Sequence, residues 1–278
     1  MIKSILVALD GSEHADAALG HALWLAERLR ATVMGLHVVD IVSIEGSFLH
    51  DISGSLGFEP YFDFSAKMRE ALRERGRVLL DTFSQRCAEH GVPSETVLAT
   101  GIVANEVCDQ ARMADLVVMG HRGVNEQFSS GLLGSTTESV TRKSPKPVFV
   151  SPMHFQPITW LLLAYDGSPR ASAAMHAAAE VTSALALPLT VLHVAREDSG
   201  GAKVLDEARR YLHSYELDVT YELATGYPNE KIIDCIGERG HGLLFIGAYG
   251  HSRIIEMVLG STTEYVLRNS PCPVFLTR

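Results

Sequence analysis

Residues 133–150 read LGSTTESVTRKSPKPVFV, and residues 259–276 read LGSTTEYVLRNSPCPVFL. Thirteen of these 18 positions agree, so the chain is a tandem repeat. Further toward the N-terminus, Ala8-Leu9-Asp10-Gly11-Ser12 is matched by Ala164-Tyr165-Asp166-Gly167-Ser168, and Leu36-His37-Val38 by Leu192-His193-Val194, both at an offset of 156. Ala99-Thr100-Gly101 matches Ala224-Thr225-Gly226 at an offset of 125. The first copy therefore carries 31 extra residues, mostly within 40–66. The copies divide the chain into domains at 1–153 and 157–278.

Within each copy, short apolar runs alternate with longer segments of helical period. Strands are expected at 5–9, 32–39, 96–99, 116–119 and 148–150, and again at 160–164, 189–194, 219–223, 243–246 and 274–276. Helices are expected at 15–30, 65–90, 103–113, 135–143, 171–185, 202–213, 229–239 and 255–268. Strict alternation with strands apolar on both faces predicts an α/β chain. It would comprise two tandem doubly wound units, each with a five-stranded, mainly parallel sheet flanked by helices. The stretch 40–64 has no sustained period and reads as an excursion, either a flap or a packed insert.

Composition excludes several classes of function. The net charge is -9, with 14 basic against 19 acidic residues in 1–152 and 10 against 14 in 153–278, so neither half offers a basic face for nucleic acid. No apolar run approaches the roughly 18 residues of a membrane span. The four cysteines lack a CxxC pair and read as core thiols in a reducing compartment. A cytoplasmic protein is expected. No GxSxG elbow, GxxxxGK[ST] loop or HExxH motif is present, which leaves dedicated catalysis unsupported.

In an open parallel sheet, ligands sit beyond the carboxyl ends of the strands, where the strand order reverses. Each copy puts an aspartate there, Asp10 or Asp166, and a glycine-rich turn after its fourth strand, Gly120-His121-Arg122-Gly123 or Gly247-Ala248-Tyr249-Gly250. A second glycine, Gly134 or Gly260, then opens a helix at Ser135-Thr136-Thr137 or Ser261-Thr262-Thr263, hydroxyls that can cap the helix and bond phosphate. Arg122 stands where it can contact phosphate or remain solvated. His37 and His193 at matching strand ends read as structural, while His14, His50 and Asp51 read as surface residues.

GxxG, nine residues, then Gly-Ser resembles the signature of ATP-binding universal stress proteins. Gly247 to Ser261 fits it without a gap, whereas ten residues separate Gly123 from Gly134. The resemblance spans nearly the whole chain, including each Asp-Gly-Ser, each Leu-His-Val and the closing Ser-Pro-x-Pro-Val. It implies a Rossmann-like unit of the adenine nucleotide α-hydrolase type. Leu9, Asp10 and Val38, or Tyr165, Asp166 and Val194, would line adenine and ribose. Gly120, Arg122, Gly123 and Gly134 to Thr137, or Gly247, Ala248, Gly250 and Gly260 to Thr263, would hold the phosphates.

The ligand so implied is ATP, ADP or AMP, acting as a regulatory ligand with at most slow hydrolysis. A carboxylate beside a triphosphate calls for Mg²⁺ or Mn²⁺. Spacing favours the second copy. The alternative is an interaction scaffold of the same fold that has lost its ligand. Family members dimerise through their last strands, so 148–150 and 274–276 are expected to pair within the chain as a pseudo-dimer, leaving a homodimer of chains optional. The protein partner is unknown from sequence.

Overall fold

The structure, a computed structural model, describes residues 1–40, 61–123, 133–195, 200–248 and 260–277, with the side chains of 61–66 outside that description. The strands are β1 Ser4–Ala8, β2 Thr32–Asp40, β3 Ser94–Gly101, β4 Leu116–Gly120, β5 Val148–Ser151, β6 Trp160–Ala164, β7 Leu189–Ala195, β8 Val219–Thr225, β9 Gly242–Gly247 and β10 Val274–Thr277. The helices are α1 Glu13–Leu29, α2 Tyr61–Glu89, α3 Val103–Gln110, α4 Ser135–Lys143, α5 Pro169–Leu185, α6 Gly201–Leu212, α7 Pro228–Arg239 and α8 Ser261–Asn269. All ten expected strands are present. Among the described residues, no helix is long and apolar enough to cross a membrane.

The two sheets join into one of ten strands, ordered β3-β2-β1-β4-β5-β10-β9-β6-β7-β8. Every pairing is parallel except β5 with β10, where Phe149 stands opposite Phe275. The pair is self-complementary, because Phe149 and Phe275 occupy the same place in their copies. Fusing two four-residue edge strands removes two exposed edges at once. The expected pseudo-dimer pairing is therefore present.

Alternation along the strands divides the core. Ile5, Val7, Phe149, Leu161, Leu163 and Phe245 pack against α1, α2, α5 and α6. Leu6, Val117, Val150, Leu162, Leu244 and Ile246 pack against α3, α4, α7 and α8. The helices start where their chemistry dictates: the Ser12 hydroxyl accepts from the Ala15 N–H at 3.1 Å, and the Ser168 hydroxyl from Ala171 at 3.1 Å, with Pro169 in the first helical turn.

Two helix starts depart from the expected boundaries: α2 begins at Tyr61, inside the stretch assigned to the excursion, and the helix expected from 255 begins at Ser261, because Gly260 is extended; 255–259 lie outside the described residues. The rest of that excursion, 41–60 with His50 and Asp51, lies outside the described residues. Cys87 and Cys272 are buried thiols as expected, whereas Cys108 and Cys235 on α3 and α7 are partly exposed.

Candidate functional site

The strand order reverses on either side of β1 and of β6, and the chain leaves both strands by the same turn. Asp10 Oδ1 accepts from the Ser12 N–H at 2.9 Å, and Asp166 Oδ1 from the Ser168 N–H at 2.9 Å. Gly11 and Gly167 take the left-handed conformation this turn needs, at φ 81° and 77°. Each carboxylate is thus held at the carboxyl edge of its copy.

The histidines lock the strand ends. His37 Nδ1 donates to the Leu9 carbonyl at 2.7 Å and His193 Nδ1 to the Tyr165 carbonyl at 2.8 Å. Both rings lie under a glycine of the covering helix: a Cβ on Gly76 would stand 2.6 Å from His37, and one on Gly201 3.1 Å from His193. The structural reading of these histidines is their observed geometry.

Leu9 and Tyr165, expected against the base, are 6% and 4% exposed and belong to the core of the α1, α2, α5 and α6 face. Alternation turns their side chains away from the face that carries Val38 and Val194.

At the phosphate end, the helix-capping expectation needs correction. Gly134 and Gly260 occupy the N-cap positions of α4 and α8, so the hydroxyls that follow fall inside the helix, and among the described residues no side chain caps either start. Thr137 Oγ1 instead donates to the Gly120 carbonyl at 2.9 Å, and Thr263 Oγ1 to the Gly247 carbonyl at 3.1 Å. These buried threonines spend their protons tying the helix start to the strand end. Ser135, Thr136, Ser261 and Thr262 stay at the open surface of the helix start. Main-chain N–H groups and the positive end of the dipole are what each helix start offers an anion.

The glycine-rich turns are shaped first by packing. A Cβ on Gly120 would meet the His14 main chain at 2.8 Å, and one on Gly247 the Arg170 main chain at 2.8 Å. His14, expected at the surface, is only 4% exposed because α1 presses it onto Gly120. A Cβ on Gly123 would stand 2.5 Å from Asp10 Oδ2, and one on Gly134 3.2 Å from the Arg122 Cα. The first copy's turn is therefore drawn in against Asp10 and over the start of α4. Gly250 and both spacers, 124–132 and 249–259, lie outside the described residues.

One residue of the turn has a role that its local sequence does not announce. His121 Nε2 lies 2.6 Å from the Leu267 carbonyl in the last turn of α8, so the first copy's turn bonds directly to the second copy's helix. The matching position, Ala248, is fully buried; its N–H donates to the Thr277 carbonyl at 2.7 Å, and its side chain packs in the core. Comparison across the repeat, with His121 opposite Ala248 in the two glycine-rich turns, is what signals this asymmetry.

In the second copy these pieces enclose a cavity of about 210 Å³. Val194, Ile232 and Ile246 form an apolar wall, Asp166 stands at one side, and Gly260 with Ser261 at the other. Thr262, Thr263, Gly247 and Tyr165 also line it, whereas Ala248, expected there, is buried in the core, Gly250 lies outside the described residues, and Ile232 and Ile246 were not among the expected residues.

A sequence profile of the universal stress protein family matches residues 1–152 and 197–278. The chain belongs to the universal stress protein family. A universal stress protein of Synechocystis sp., Slr1230, is 31% identical across the whole of both chains. One from Mycolicibacterium smegmatis is 24% identical, over 99% of this chain and 96% of its own. The crystal structure of a universal stress protein from Archaeoglobus fulgidus matches the fold with a TM-score of 0.78 at 24% identity, covering 99% of this chain and 98% of the other. In this universal stress protein, the described residues include no group of three His, Cys, Asp or Glu side chains that could hold a metal ion.

Proposed function

We propose that this universal stress protein binds an adenine nucleotide, ATP with its divalent cation, in the second-copy cavity as a regulatory ligand in the cytoplasm. The observation that carries the reading is the union, at a strand-order reversal, of an apolar wall with an uncapped helix start. The wall of Val194, Ile232 and Ile246 suits the faces of a purine. Asp166 suits ribose hydroxyls, which donate to a carboxylate. The N–H groups at Ser261 and Thr262 suit phosphate oxygens.

The volume of about 210 Å³ is below the roughly 300 Å³ at which sites for whole drug-sized ligands begin, so in this reading only the nucleoside part enters and the phosphates lie at the mouth. A single carboxylate fits a Mg²⁺ ion that arrives with the phosphates, since Mg²⁺ takes one or two carboxylates and fills its shell with phosphate oxygens and water. The second copy is favoured over the first on spacing, since nine residues separate Gly250 from Gly260 whereas ten separate Gly123 from Gly134.

Calorimetry with ATP, ADP, AMP and adenosine in the presence of Mg²⁺ tests the reading. Saturable heat that falls as phosphates are removed is expected. No binding at millimolar nucleotide would leave the ligand-free scaffold as the correct description.

A further inference from the structure

A second hollow, about 600 Å³, lies behind the Asp10-Gly11-Ser12 turn, between α1 and α2. Its floor is Leu9, Leu19 and Phe83, all nearly buried. Thr82 and the ion pair of Arg86 with Asp16 form a rim, and Phe155 from the connection between the copies closes one end.

The repeat shows the same groove filled. The register of α2 on α6 is fixed by Gly76 and Gly201 over the paired histidines, and by the left-handed residues Gly91 and Glu216 that follow the two helices. The register of α1 on α5 is fixed by their matching caps at Ser12 and Ser168. Gly20 then corresponds to His176, and Arg86 to Tyr211.

In the second copy, the His176 and Tyr211 rings stack at 4.7 Å between centroids, and the two hydroxyls of Tyr211 and Tyr215 bond at 2.7 Å. In the first copy, the missing side chain of Gly20 is replaced by the Phe155 ring, which a Cβ there would meet at 3.0 Å. The residue that corresponds to Tyr211 is Arg86, whose guanidinium turns to Asp16, so no aromatic ring of this helix enters the hollow at that position. Phe155 is left 41% exposed at the edge of the hollow.

We propose that this hollow is a second ligand site, taking a small planar aromatic molecule in the place that Tyr211 fills in the second copy. Its ring stacks on Phe155 above the floor of Leu9, Leu19 and Phe83. Thr82 Oγ1 donates to the Val78 carbonyl at 2.9 Å and so presents a lone pair to a ligand hydroxyl. Glu13 and Asp16 outweigh Arg86 on the rim, which selects an uncharged phenol-type ring over an aromatic carboxylate. The volume lies within the roughly 300–1,000 Å³ of small-molecule sites. The site is independent of the nucleotide cavity, which lies on the other face of the sheet.

The test is a titration of the full chain with 2-naphthol, followed by calorimetry, with 2-naphthoate as the charged comparison. Saturable binding of 2-naphthol is expected, with weaker binding of 2-naphthoate. Thr82→Trp, which fills the hollow from an exposed helix position, and Phe155→Ala, which removes the stacking face, should each weaken it by about tenfold or more. Ser261→Pro should leave it unchanged. Non-saturable binding, or saturable binding indifferent to Phe155→Ala in a protein that melts normally, overturns the proposal; Phe155→Ala decides the matter if Thr82→Trp does not fold.

Discussion

Replacing Ser261 by proline deletes one main-chain donor from the start of α8 while leaving the helix intact. Proline is favoured at the first helical position, where the N–H has no partner within the helix. The residue before it must be extended, and Gly260 already is, at φ -60° and ψ 145°. The fold should therefore tolerate the change without loss of Tm. A hydrogen bond to a charged group contributes about 1.5–3 kcal/mol. Removing one from a bound phosphate should weaken ATP roughly ten- to a hundredfold. Calorimetry on Ser261→Pro and Ser261→Ala separates the N–H from the hydroxyl, since alanine keeps the former. Adenosine, with no phosphate, should bind both variants as it binds the parent. Equal ATP affinity in the two variants, both folded, would refute the claim that main-chain groups of α8 hold the phosphates.

Gly247→Ala, whose Cβ meets the Arg170 main chain at 2.8 Å, should lose about 1–3 kcal/mol in urea melts. Gly237→Ala in α7, with nothing within 4 Å, should gain roughly 0.5–1 kcal/mol in the same melts. Burial lowers the His21 pKa to about 4, so between about pH 6.5 and about pH 4 the unfolded chain binds the proton that the folded chain refuses. Stability should fall by up to about 3 kcal/mol as pH drops through that window and then level off below it, with the slope reduced in His21→Ala, as denaturant melts across pH would show. His121→Ala should leave each copy folded but cost about 0.5–1.5 kcal/mol at the seam, seen as earlier exchange of the last amides of α8.

Much of this was legible in the residues, because most of the fold rests on local chemistry. Short apolar runs alternating with segments of helical period marked all ten strands, and the recurrence of Ser-Pro-x-Pro-Val marked the edge strands that pair. The positions that misled are those whose environment is made by distant packing. His14 reads as a surface residue beside a polar turn, yet α1 buries it against Gly120. Thr137 and Thr263 read as phosphate donors, yet strand carbonyls lie nearer. Gly120 and Gly247 read as anion-loop glycines, although helix contact alone already forbids a side chain there. The open hollow behind Asp10 is visible only when Gly20 and Arg86 are set against His176 and Tyr211.

The most direct test of the nucleotide assignment is native mass spectrometry of the full chain titrated with Mg-ATP, beside Val194→Trp, which fills the second-copy cavity from its wall. The first nucleotide should add to the parent protein and fail to add to the variant. A parent that stays free of nucleotide at millimolar ATP, or a variant that takes up the first nucleotide as readily, would contradict the account.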